Sequence, residues 1–131
     1  MSTEIIRKAK EYTSGDGIEV GVLPYGDDVV HDGPPYGSHS NLVTYDFTIV
    51  DSGDYALYVE YAAAVSRPCG IRWNRRPVLT GNLGSVTGFF EEGGQKWERQ
   101  GVVSAPAGVH TLEIHRAGPF PHLRTIKLVK L

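Results

Sequence analysis

The chain has 131 residues, of which 40% are hydrophobic and 21% charged, and its formal net charge at pH 7 is −2. This length predicts one domain over residues 1–131, with a core large enough to fold without metals, and the single cysteine excludes an internal disulfide. The charge argues against a nucleic-acid partner, since such proteins normally carry a basic face, and no apolar run is long enough to span a membrane.

The first part of the chain predicts two short strands followed by a long loop. The strands cover residues 4–9 and 18–23. Residues 25–40 are rich in Gly, Pro, Asp and His, and this composition is typical of an irregular loop. Long loops in a compact β domain often carry the function.

The clearest strand pattern lies in the next part of the chain. Over residues 41–50, four apolar side chains alternate with more polar neighbours, which predicts a strand with one packed face: Val43, Tyr45, Phe47 and Ile49. Residues 55–63 repeat this alternation, and the Asp-Ser-Gly-Asp run between the two segments favours a tight turn. Together the two segments predict a hairpin.

The rest of the chain continues with short strands and turns. The predicted strands cover residues 71–73, 97–104, 109–115 and 125–131, and residues 80–96 are predicted as a second long loop. No segment shows helical periodicity. The pattern indicates an all-β protein, a β-sandwich jelly roll of about eight to nine antiparallel strands.

Few residues point to catalysis. Cys69 has no activating partner that the sequence can identify, and the five histidines lack a zinc-binding spacing such as HExxH. The chain contains no GxSxG motif, P-loop or dinucleotide fingerprint. We therefore predict that the protein is not an enzyme. A small hydrolase or isomerase that uses His31, His39 or His122 is the least favoured alternative.

Short motifs along nearly the whole chain resemble those of carbohydrate-binding modules of families 6 and 35. The segments AKEYTSG, NLVTYDF and SGDYAL resemble the family runs AEDYTSG, GDWVEYxF and AGTYTL. GGQKW with AGVHTL resembles GGWxxW with AGxHTL, and HLRTIKL resembles the closing NIDYIKL. The resemblance implies a lectin-like, galactose-binding-like jelly roll that binds sugar and performs no chemistry.

The resemblance also implies a set of ligand-binding residues. The family's loop-end cleft uses a tyrosine, a tryptophan and an asparagine, which fall by position on Tyr36, Trp97 and His122. The two aromatic residues are expected to stack on a sugar ring, while His122 and Arg99 are expected to supply hydrogen bonds. The alternative for the aromatic pair is structural, with Trp97 plugging the end of the sandwich and Tyr36 lying flat on its loop.

Some relatives carry a second sugar site on the concave face of the sandwich. Tyr58, Glu60 and Arg72 are the candidates for such a site in this chain.

The family's structural calcium site is expected to be lost. Where the family has acidic ligands, this chain has Lys8, Lys10 and Arg124. Calcium needs several oxygen ligands, and three cations would repel it. We therefore expect no calcium and no other cofactor, with Glu11 or Glu113 pairing with these basic residues instead.

An oligo- or polysaccharide is the partner that the resemblance implies, together with an attached or partner enzyme in some settings. The alternative is a protein-interaction or structural β-sandwich that has lost both sugar and calcium binding. The first residues contain no apolar run of signal-peptide length. Two locations therefore remain open: the cytoplasm, or a module of a longer secreted protein.

Overall fold

The computed structural model describes residues 3–22, 26–33, 40–91 and 93–131. The strands in these residues are β1 (Glu4–Lys8), β2 (Ser14–Asp16), β3 (Ile18–Val22), β4 (Gly26–Asp32), β5 (Ser40–Ile49), β6 (Gly53–Ala62), β7 (Cys69–Trp73), β8 (Arg76–Asn82), β9 (Lys96–Ala105), β10 (Gly108–Ala117) and β11 (His122–Lys130). The all-β class is confirmed, with more strands than the eight to nine predicted. The described residues include no helix with the length and apolar character needed to cross a bilayer.

The strands form two antiparallel sheets. The six-stranded sheet has the order β3-β4-β11-β6-β9, and β1 also pairs with β11. The five-stranded sheet has the order β2-β5-β10-β7-β8. The two sheets pack face to face, and the side chains between them form one hydrophobic cluster. This arrangement confirms the predicted β-sandwich.

The predicted hairpin of residues 41–63 is wrong. β5 pairs with β2 and β10, whereas β6 pairs with β9 and β11 in the other sheet. The turn after β5 therefore carries the chain from one sheet to the other. Alternation predicts which face of a strand is buried, but it does not identify the neighbouring strand.

The predicted packed faces of β5 and β6 are confirmed. On β5 the four alternating apolar side chains identified from the sequence are buried, and on β6 the buried set includes Tyr55, Leu57, Val59 and Tyr61. Both rows belong to the single hydrophobic cluster between the two sheets. The opposite face of β6 points away from the core, and Tyr58 and Glu60 on it are partly exposed.

Two predicted loops contain strand that the sequence pattern did not indicate. β4 lies inside residues 25–40, and β8 extends into residues 80–96. In β4 both Val29 and Val30 are fully buried, and His31 and Asp32 are also buried. A strand that is covered on both faces has no alternation to detect, so the Gly- and Asp-rich composition dominated the prediction.

Candidate functional site

One outer surface of the six-stranded sheet carries an aromatic and charged cluster. Because Leu57 and Val59 of β6 point into the core, Tyr58 and Glu60 point outward. The strand register places Arg99 opposite Tyr58 and Trp97 opposite Glu60 on β9. On the other side of β6, Lys127 of β11 lies opposite Tyr58. We call the surface formed by Tyr58, Glu60, Trp97, Arg99 and Lys127 the Trp97 face.

Trp97 lies on this outer surface and not inside the sandwich. Its relative exposure is 44%. The ammonium nitrogen of Lys127 lies 4.5 Å from the centroid of the Trp97 ring and 5.3 Å from that of Tyr58. A cation at these distances is attracted by the π faces of both rings. Lys127 therefore links the two aromatic side chains and holds a positive charge above them.

A series of ion pairs crosses the sheet and ends at Glu60 on the Trp97 face. The Glu60 carboxylate accepts a hydrogen bond from the Thr125 hydroxyl at 2.9 Å and lies 3.9 Å from the Arg124 guanidinium. Arg124 also pairs with Asp28 at 3.4 Å, and the Lys8 ammonium lies 3.7 Å from the same carboxylate. These contacts orient Glu60, although each exposed pair contributes only about 0–1 kcal/mol to stability.

The predicted partners of the basic residues are wrong. The Glu11 carboxylate accepts a hydrogen bond from the backbone nitrogen of Lys8 at 3.0 Å. The side-chain ammonium of Lys8 pairs with Asp28 and not with Glu11. Glu113 pairs with Arg72 on the outer surface of the other sheet. Arg72 therefore lies away from Tyr58 and Glu60, and it does not complete a concave-face site with them.

Three basic residues occupy the positions where the family has calcium ligands. Lys8 and Arg124 both pair with Asp28, while Lys10 is exposed. In the part of the chain that the structure describes, no group of three or more His, Cys, Asp or Glu side chains could hold a metal ion. The loss of calcium binding stays a prediction.

His122 lies at the loop end of the same sheet, beneath other side chains. Its exposure is only 5%, and its ring centroid is 4.7 Å from that of Phe90 and 5.6 Å from that of His31. The Arg67 guanidinium covers the Phe90 ring at 4.1 Å. Burial, with the nearby charges of His31 and Arg67, lowers the pKa of His122 to about 4. His122 is therefore a neutral, packed side chain at neutral pH.

The predicted ligand residues are thus placed differently by the structure. Trp97 and Arg99 share an exposed surface, and His122 is buried near it. Tyr36 lies outside the described residues. Sequence reasoning missed Lys127, because its approach to Tyr58 and Trp97 depends on the register of three strands. The alternation in β11 could at most have placed it on an outward face.

Three side-chain hydrogen bonds hold the carboxylate of Glu98, which lies on the edge strand β9. Its carboxylate accepts hydrogen bonds from the hydroxyls of Tyr61, at 2.7 Å, and Ser85, and from the Gln100 amide at 3.1 Å. Partial burial raises the pKa of Glu98, but these three hydrogen bonds together hold it below its usual value. Glu98 is therefore ionised at neutral pH.

Cys69 is buried and takes part in no disulfide. Burial raises the pKa of its thiol to about 12, and the nearby charge of Arg116 offsets this only in part. The thiolate is the reactive form of cysteine, and it is scarce at such a pKa. The side chain is therefore part of the core.

Several solved structures share this architecture. No family model matches the chain, and neither does any curated protein. A family 35 carbohydrate-binding module from Paenibacillus barcinonensis superposes with a TM-score of 0.79 at 19% identity, covering 95% of this chain and 97% of that one. The C-terminal family 6 module of the laminarinase LamC from Zobellia galactanivorans gives 0.75 at 17% identity, covering 98% and 100%.

A third similar structure is a larger enzyme. The Podospora anserina β-(1,4)-mannanase that contains a family 35 module gives a TM-score of 0.72 at 18% identity, with 95% of this chain and 27% of that chain covered. The chain thus has the fold of family 6 and family 35 modules over nearly its whole length, which confirms the resemblance noted from its motifs. At these identities the likeness concerns the fold, and function must be argued from the site.

Proposed function

We propose that the protein is a non-catalytic carbohydrate-binding module, and that it binds sugar on the Trp97 face. The observation that carries this proposal is the exposed indole of Trp97 among hydrogen-bonding side chains. A sugar ring has an apolar C–H face that packs against an aromatic ring, while its hydroxyls need donors and acceptors. This surface supplies both.

Each residue of the Trp97 face has a distinct role in the proposal. Trp97 forms the stacking platform. Glu60, already oriented by Thr125, accepts hydrogen bonds from hydroxyls, and Arg99 donates them. Lys127 is attracted to the platform by only about 0.5–1 kcal/mol, so its flexible chain can swing aside and donate to a sugar oxygen.

The likeness in fold supports the class of ligand. The module-containing enzymes among the similar structures include a laminarinase and a mannanase. Laminarin and β-(1,4)-mannan are therefore the first polysaccharides to test, beside xylan and dextran. Modules of this kind gain useful affinity when they are repeated or attached to an enzyme, and we propose such an arrangement here.

The electrostatics of Glu98 and Cys69 do not fit a catalytic role for either residue. Glycoside cleavage by paired acids needs one carboxyl with a raised pKa that donates a proton to the leaving group. Glu98, beside Trp97 in the chain, has a lowered pKa and is ionised. Cys69 is buried with a raised pKa and does not serve as a nucleophile.

His122 and Tyr36, the other two predicted ligand residues, have different roles in the proposal. His122 lies under Phe90, so we assign it a supporting role at the loop end and no direct contact with sugar. Tyr36 keeps its predicted role as a second stacking ring.

A glycan array with matched variants tests the proposal. Trp97→Ala removes the platform. Val102→Ala is the control, because Val102 is on the same strand, is 39% exposed, and lies towards the far end of β9. We expect binding by the natural chain and by the control, and its loss with Trp97→Ala. A blank array for a folded protein would contradict sugar binding, and self-association in solution would then favour the interaction-domain alternative.

A further inference from the structure

A groove adjoins the Trp97 face at the edge of the sandwich. It lies between the end of β8 in one sheet and the edge strand β9 of the other, and its cavity volume is about 490 Å³. Its lining includes six polar residues: Ser66, Asn82, Ser85, Glu98, Arg99 and Gln100. We call this cavity the edge groove.

The floor of the edge groove is held in place by cross-sheet hydrogen bonds. The Asn82 amide donates to the backbone oxygen of Gln100 at 2.8 Å, and the Gln100 side-chain oxygen accepts from the Leu83 nitrogen at 2.9 Å. The Gln100 amide also donates to Glu98. The groove therefore has fixed walls before any ligand arrives, which reduces the entropy lost on binding.

The lining suits neutral, hydroxyl-rich molecules. Glu98 presents an ionised carboxylate, and the exposed residues Ser66 and Ser85 carry hydroxyl groups. Arg99, which also lines the groove, carries a guanidinium donor. Sugar hydroxyls can donate to the carboxylate and to the serine hydroxyls, and they can accept from the guanidinium. Across the edge groove and the Trp97 face together, two carboxylates accompany two cations, so no net charge favours an ionic ligand.

Arg99 belongs to both surfaces. Its strand position opposite Tyr58 places it on the Trp97 face, and the residue also lines the edge groove. Trp97 and Arg99 are two residues apart on one strand, a distance of roughly 6.6 Å along β9. A ligand stacked on Trp97 therefore needs to extend by only a short distance to enter the groove.

We infer that the Trp97 face and the edge groove together form one continuous site for an extended, neutral polysaccharide, bound along its length. The inference rests on the proposed function and adds the groove, the neutral class and the need for several sugars. Ser66, Ser85 and Arg99 are exposed, so the groove is open to solvent and does not enclose a chain end. A chain can therefore pass through it.

Chain-length dependence of binding tests the inference. The probes are laminari-, manno-, xylo- and isomalto-oligosaccharides, each from the disaccharide to the hexaose, measured by calorimetry. Ser66→Leu fills the groove at an exposed position, and Ser104→Leu makes the same change at the far end of β9. Thermal melts check that both variants fold.

We expect the hexaose to bind roughly tenfold more tightly than the disaccharide, a difference of about 1.4 kcal/mol. Ser66→Leu should remove this gain and leave disaccharide binding intact, whereas Ser104→Leu should change neither. Equal affinity for all lengths, or an unchanged hexaose affinity in Ser66→Leu, would overturn the inference and leave the proposed function standing. Absence of binding to every probe would overturn both.

Discussion

The buried histidine at the loop end makes the stability of the fold depend on pH. The pKa of His122 is lowered from 6.5 to about 4 in the folded protein, by burial first and then by the charges of His31 and Arg67. Asp32 acts in the opposite direction. In the unfolded chain the same imidazole takes up a proton near pH 6.5.

Between these two pKa values only the unfolded chain binds the proton, so acid favours unfolding. The contribution of His122 to stability is complete above pH 6.5 and is lost as the pH falls towards 4. The full loss is about 3 kcal/mol, of which about 2 kcal/mol has occurred at about pH 5. The size of this loss depends on His122 remaining packed beneath Phe90.

The assay compares the natural chain with His122→Asn by urea unfolding at neutral pH and at about pH 5. Acid also protonates carboxylates, so the quantity of interest is the difference in pH dependence between the two proteins. We expect the variant to lose about 2 kcal/mol less stability over this interval. NMR titration of the natural chain should show an imidazole that stays neutral down to about pH 4. Equal pH dependence of the two proteins, or titration of His122 near 6.5, would show that burial does not lower the pKa of His122.

Two further predictions concern packing and metal binding. A side-chain carbon at Gly70 would overlap the outer end of the half-buried ring of His115, its cross-strand partner, and would displace that ring. Gly70→Ala should therefore cost about 0.5–1.5 kcal/mol of unfolding free energy but should be neutral or stabilising in a His115→Ala background. Urea denaturation of the four proteins measures this, and an equal cost in both backgrounds would contradict the proposed overlap. Because Lys8 and Arg124 already pair with Asp28, adding calcium or a chelator should leave the melting temperature unchanged, whereas a saturated calcium site would add about 2–3 kcal/mol and raise it by several degrees.

The fold could be predicted largely from two signals in the sequence: the alternation of apolar and polar residues, and the order of the motifs that resemble families 6 and 35. The buried rows of β5 and β6 follow directly from period-two patterning. Their pairing could not be predicted, since the same pattern fits a hairpin and two successive strands that belong to different sheets. β4 was missed because both of its faces are covered at its buried end.

The candidate site was predictable only in part. Trp97 came from the family resemblance and Arg99 was added as a candidate hydrogen-bond donor. Their neighbours on the sheet depend on a strand register that no local pattern encodes. The burial of His122 depends on Phe90, which is distant in the sequence and reaches it through an irregular loop. Such a contact leaves no periodic signal for a single sequence to reveal.

The proposed sugar binding depends on the exposed indole ring of Trp97. Retardation of the protein in polysaccharide gels measures that dependence. Affinity electrophoresis of the natural chain, Trp97→Ala and Val102→Ala in gels containing laminarin, β-(1,4)-mannan, xylan or dextran compares the three proteins under identical conditions. We predict that at least one polysaccharide retards the natural chain and the Val102→Ala control but not Trp97→Ala. Equal retardation of all three proteins would place sugar binding elsewhere on the molecule, and no retardation of any folded protein would contradict sugar binding itself.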